Sequence, residues 1–140
     1  MVACCLSNRF ADLAEHQRGR FDDLDGTYSV TVGTTYSVVG MGVWENVLHF
    51  LVQGDLSLPE FIPAGLFQCE SQALPESWQF SLLPGIAAEG AALWENPCSA
   101  LWGYSDLVRD AGHAQLLGER DPGALATFRD ELRKLDGDDN

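Results

Sequence analysis

Apolar and polar positions change their period twice along this chain. In residues 8–21 the apolar positions Phe10, Leu13, Ala14 and Phe21 open at helical spacing, which predicts a short helix capped by Ser7 or Asn8 and ending near Gly19. Residues 22–26, Asp-Asp-Leu-Asp-Gly, have turn chemistry. From Thr27 the period becomes two: Tyr28, Val30 and Val32 alternate with Ser29 and Thr31 and predict a strand ended by Gly33. A second strand is expected over 36–43, bent or bulged at Gly40 and Gly42. Glu45-Asn46 reads as a hairpin tip, 47–53 as a near-continuous apolar strand, and Gly54-Asp55 as a turn.

A short strand should end at Pro63, which has no backbone donor, with one 3₁₀ turn over 64–67 and a further strand over 68–70. Residues 78–83 predict another strand with Trp78, Phe80 and Leu82 on one face, and Trp78 in the core. Residues 86–92 are rich in Ala and Gly and read as loop or weak helix. Ser105 is expected to cap a short helix over 106–110. The clearest helix start is Asp121-Pro122, followed by a Leu125, Phe128, Leu132, Leu135 stripe. The expectation is one α+β domain over 1–140. It has a β-rich core at 27–83, helices at 105–135 and a solvated, disordered tail at 136–140.

Charge changes the functional picture. The chain of 140 residues has 21 Asp+Glu against 8 Lys+Arg, a formal net charge of -13. Phosphate-backbone binding needs a basic footprint, so nucleic acid and anionic membrane surfaces are not expected partners. The imbalance is spread over both halves, -6 in residues 1–70 and -7 in 71–140, yet Glu45 is the one charge between Thr27 and Gln53. An acidic shell around a neutral β body is the expectation. The apolar run at 1–6 is too short for a secretion signal and lacks a basic flank, and no run is long enough to span a bilayer, so a cytoplasmic location is expected.

Catalytic and metal-binding patterns are weak. Cys4, Cys5, Cys69 and Cys98 show no CxxC spacing, and His16, His49 and His113 are isolated, so neither a metal site nor a disulfide framework is expected. Gly103-Tyr104-Ser105-Asp106-Leu107 lacks the second glycine of a nucleophile elbow. Gly40-Met41-Gly42 lacks the third glycine of a nucleotide fingerprint. Asp23-Leu24-Asp25-Gly26 brings its glycine too early for a calcium loop, and Thr34 stands where the closing glutamate belongs. Catalysis by Cys98 with His113, or by Ser105, is the least favoured reading. No catalytic residue, metal or cofactor is assigned.

Two resemblances add expectations. Phe61-Ile62-Pro63-Ala64-Gly65-Leu66-Phe67 resembles the Pro-led 3₁₀ segment before the last strand of SH3 domains. For residues 32–80 it implies an SH3-like antiparallel barrel or strongly bent sheet, and so a peptide- or ligand-binding regulatory module. By overall type, a small acidic α+β chain with a β-rich first part and a helical end resembles bacterial immunity proteins. That implies direct neutralisation of a basic toxin domain. The residues expected to carry such binding are Asp22, Asp23, Asp25, Glu45, Asp55 and Glu60 in turns, with Trp44 as an aromatic anchor.

Overall fold

Two consecutive β-branched residues, Val38 and Val39, divide this fold into its two sheets. Residues 1–18, 26–71, 73–82, 98–110 and 112–137 are described in the computed structural model. Strands β1 (Val2–Cys5), β2 (Thr35–Ser37) and β6 (Phe67–Cys69) form a small antiparallel sheet in the order β2-β1-β6. Strands β3 (Gly40–Trp44), β4 (Val47–Gln53), β5 (Pro59–Pro63), β7 (Gln79–Leu82) and β8 (Cys98–Gly103) form a larger one in the order β5-β4-β3-β8-β7. Between β2 and β3, the Val38 amide donates to Met1 O at 2.8 Å in the first sheet. The next amide, Val39, donates to Leu51 O at 3.0 Å in the second.

The larger sheet is the wall between two cores. Its register places Met41, Phe50, Val52 and Ile62 on one face, where they pack with Ala3, Cys5, Tyr36, Val38 and Phe67 of the small sheet. Leu51 and Phe61 lie on the other face, under helices α1 (Ser105–Arg109), α2 (His113–Gly118) and α3 (Pro122–Gly137). Coverage on both faces explains why β4 reads as a continuous apolar run rather than an alternating one. Asp121 Oδ2 accepts the Ala124 amide at 3.0 Å, so the expected Asp-Pro helix start is present. Fully buried Phe128 anchors the α3 stripe, with Leu125, Leu132 and Leu135 packed around the same core.

Glycines bring α1 down onto the wall. Gly40 of β3 is paired with Gly103 of β8, whose φ is +146°. A Cβ at either position would collide with the Leu107 side chain, and one at Gly103 would also meet Gly40 Cα at 2.9 Å. Fully buried Leu107 occupies that space. Gly42 leaves room for the Trp44 ring two residues on. These two β3 glycines therefore serve close packing rather than the expected bulge. The register shift lies between Val43 and Trp44, opposite β8.

The hairpin tip, the 54–55 turn, β4, the stop at Pro63 and the following 3₁₀ turn (Ala64–Leu66) stand where the pattern puts them. Glu45 (φ 52°) and Asn46 (φ 66°) form the two-residue turn whose twist suits a β-hairpin.

Other expectations are corrected. The first helix is two separate 3₁₀ turns, Phe10–Asp12 and Glu15–Gln17, because Leu13 and Ala14 are extended. Arg18 takes the carbonyls of Leu13 (3.0 Å) and Ala11 (3.2 Å) that an α-helix would have used. Residues 27–32 form no strand beyond one bridge from Thr27 to Arg9. Their backbone is satisfied locally, the Tyr28 amide by Asn8 O and the Val30 carbonyl by Asn8 Nδ2. The expected strand over 36–43 is split by the change of sheet. Tyr104, not Ser105, holds the N-cap position of α1. On β7, Phe80 and Leu82 are 50 % and 73 % exposed, so they stand outside the core at the edge of the face that Met41 and Phe50 bury, while Trp78 is half-buried against the small-sheet core. α3 runs to Gly137, into the expected tail, and Ser37 Oγ donates to Asp136 at 2.8 Å. Residues 86–92 lie outside the described residues. The described strands make two separate sheets, with no closed barrel among them.

The glycine contact is testable. Gly103→Ala is expected to cost about 2 kcal/mol or more in urea denaturation, from left-handed strain plus collision with β3. Gly118→Ala, where nothing stands within 4 Å, is expected to be neutral or to stabilise by up to about 1 kcal/mol.

Candidate functional site

The hairpin connection from β4 to β5 brings chemistry together. Gly54 N–H donates to Leu58 O at 2.9 Å and Ser57, at φ 62°, donates its amide to Gly54 O at 2.9 Å, closing a tight turn. The preceding loop is laced onto it. The Asp55 amide donates to Ser29 O at 2.6 Å. Tyr36 OH donates to Asp55 Oδ1 and Thr31 Oγ1 to Asp55 Oδ2, both at 2.7 Å, while the Thr31 amide donates to Tyr36 OH at 2.8 Å. The two hydroxyl donors hold the Asp55 carboxyl below its usual range.

Glu60 is the opposite case. It stands half-buried beside Ser29 and Gly54, where a glycine is needed because a Cβ would lie 3.0 Å from Glu60 Oε2 and 2.9 Å from Ser29 O. Desolvation pushes its carboxyl up, against a lowering backbone hydrogen bond from Ser29, and the Asp55 charge raises it further. A cleft of about 250 Å³ opens here between the turn and the end of α2, lined by Glu60, Leu56, Leu58, Leu117 and Arg120 among others. Leu56 is 70 % exposed at the turn. Arg120 ends α2 at φ 60°, its amide on Leu117 O (3.1 Å) and the Asp121 amide on Leu116 O (3.0 Å). This is a helix stop that normally takes glycine.

The expected site residues are not gathered into one place. Asp55 and Glu60 adjoin. Trp44 and Glu45 stand at the far end of β4, roughly 20 Å away at strand rise. The Trp44 ring is half-buried, tilted on Phe61 (4.5 Å between centroids), edge-on to His49 (5.6 Å) and packed on Cys98, Leu101 and Val108. Asp22, Asp23 and Asp25 lie outside the described residues. Leu56, Ser29 and Arg120 were not singled out from the sequence. An apolar residue inside the Gly-Asp-Leu-Ser turn is the signal that marks Leu56.

Cys98 and His113, the pair weighed for catalysis, are both buried. Cys98 is buried, its thiol pushed up to about 11 by desolvation, whereas a nucleophilic cysteine is shifted down. His113 Nε2 and Tyr104 OH share a buried 2.6 Å hydrogen bond. Burial lowers the imidazole and raises the phenol, so both stay neutral at pH 7. Among the described residues no group of three or more His, Cys, Asp or Glu is arranged to hold a metal ion, and no helix is long and apolar enough to cross a membrane.

Compared with known proteins, the chain matches no protein-family model, no curated protein and no solved structure.

The two carboxylates predict opposite mutant behaviour. Glu60 is raised, so its stabilising contribution is complete below about pH 4.5 and is lost as pH climbs through its native value. Glu60→Gln should raise the melting temperature at pH 7, with the gain shrinking as pH falls toward 4.5. Asp55 is lowered, so its contribution is present above about pH 3.8 and is lost on acidification. Asp55→Asn should lower the melting temperature at pH 7. Thermal scans of both variants from pH 7 to pH 4 check the pair.

Proposed function

We propose that this chain is a protein-binding protein whose 54–60 turn receives a basic partner. In its most concrete form it is an immunity protein that neutralises a cognate bacterial toxin by direct binding in the cytoplasm. The observation that carries this reading is the site's composition. An exposed leucine stands on a braced turn between two carboxylates, one of them desolvated at a cost to the fold. A residue kept where it opposes stability is a mark of function. A basic side chain entering the cleft would pair with the Glu60 carboxylate and relieve its desolvation, while Leu56 would supply the apolar contact that fixes register. The net charge of -13 adds long-range steering toward a basic protein.

The SH3-like ligand-binding reading has less support. It calls for an open aromatic groove near Phe61 and Trp78, and Phe61 is packed beside the helices and the Trp44 ring. The immunity reading needs no groove there.

Co-expression with the product of the adjacent gene, followed by calorimetric titration, tests the proposal. A 1:1 complex that weakens as salt rises is expected. Leu56→Ala and Glu60→Gln should each weaken it at least tenfold, and Glu15→Gln on the exposed N-terminal segment should change it less than threefold. No complex, or one indifferent to salt and to both turn variants, contradicts the reading.

A further inference from the structure

The edges of the two sheets are not protected alike. β5, one edge of the large sheet, carries Pro59, Glu60 and Pro63, residues that discourage strand addition. The edges of the small sheet, β2 and β6, are three residues long. β7, the other edge of the large sheet, reads Gln79-Phe80-Ser81-Leu82, with neither charge nor proline. Phe80 and Leu82 are the two exposed apolar side chains of one face of that strand. Phe80 stacks on Trp102 of β8 at 4.7 Å, and register continues the same face through Ala100 and Val43 to the part-exposed Leu48 of β4. Among the described residues, an uncharged apolar strip thus ends at a strand with no neighbour on its outer side.

We propose that β7 is a self-association edge, through which a second copy of this chain adds antiparallel to extend the large sheet. Two observations select a second copy as the occupant. The edge is self-complementary: in a two-fold pairing that sets Ser81 against Ser81, Phe80 of each copy faces Leu82 of the other, all four on the same face. The strand carries no charge in a chain of net charge -13, so two like-charged copies can approach there at least electrostatic cost. A basic partner, by contrast, gains nothing from a strand without carboxylates. Four paired residues make a small interface, so the dimer is weak and concentration-dependent.

Salt separates this proposal from partner binding by sign. Screening removes repulsion between two acidic copies, so dimerisation should strengthen in about 1 M salt, where the Debye length falls to about 3 Å. Binding of a basic partner should weaken there. Sedimentation velocity of the whole chain over a range of concentrations, at low and high salt, is the experiment. Wild type should move from monomer toward dimer with concentration and with added salt. Leu82→Lys should remain monomeric at high salt. That change lowers the net negative charge, so its loss of dimer cannot come from added repulsion, and circular dichroism checks that the fold is intact. Leu56→Ala should dimerise as wild type does. A wild type that stays monomeric throughout, or a dimer that Leu82→Lys leaves unchanged, overturns the proposal, whatever the fate of the turn's partner.

Discussion

Everything in this fold depends on one wall shared by two cores. Val38 and Val39 are adjacent in the chain, both essentially buried, and belong to different cores. Val52 and Leu51 repeat the arrangement on β4. A wall covered on both faces must be apolar on both, so the β3–β4 hairpin from Gly40 to Gln53 holds one charge, Glu45, at its tip. Among the described residues, the other acids lie in turns, on helix surfaces and, at Glu60, on the edge strand β5. The charge distribution is thus a consequence of packing before it is a property of function.

The same constraint places the candidate site. β4 carries the wall outward and ends at Gly54, where the turn is gripped by Tyr36, itself part of the core beneath. Asp55 is spent on holding the turn, with both oxygens engaged. That frees Glu60 and Leu56 to face the cleft. Two acidic residues five apart, Asp55 in the turn and Glu60 at the start of β5, therefore differ in kind: one braces, and one is held at a cost that a partner can relieve. The cleft's other wall is the end of α2, so the helical layer also contributes to it.

Much of the local structure was legible because it follows from single residues. Pro63 lacks a donor, Asp121-Pro122 starts a helix, Asn46 tolerates positive φ, and each acts alone. What was hidden depends on partners distant in sequence. Residues 27–32 alternate like a strand, but Asn8 and Asp55 offer their groups closer satisfaction than a ladder would. The small sheet was invisible because β1 reads as a short apolar run, and its neighbours β2 and β6 lie far along the chain. Gly40 and Gly42 looked like bends because nothing local announces Leu107 and Trp44 above them. At the site, Asp55 was recognisable as a turn acid, whereas Glu60, expected in a turn, lies in β5 opposite Val52. Their separation from Trp44 and Glu45 by the length of β4, and the arrival of Arg120 from α2, needed the tertiary fold.

The central claim is that the shared wall makes both cores, and the turn hung from it, one cooperative body. Native-state hydrogen exchange read at individual amides tests this most directly. The Val38 amide, bonded to the small sheet, and the Val39 amide, bonded to β4, should exchange through the same global opening, with equal free energies and equal denaturant dependence. The Asp55 amide should be protected within that opening. Exchange of Val38 through a cheaper opening that leaves Val39 protected would contradict the account, since the small sheet would then be a separable layer rather than half of one structure.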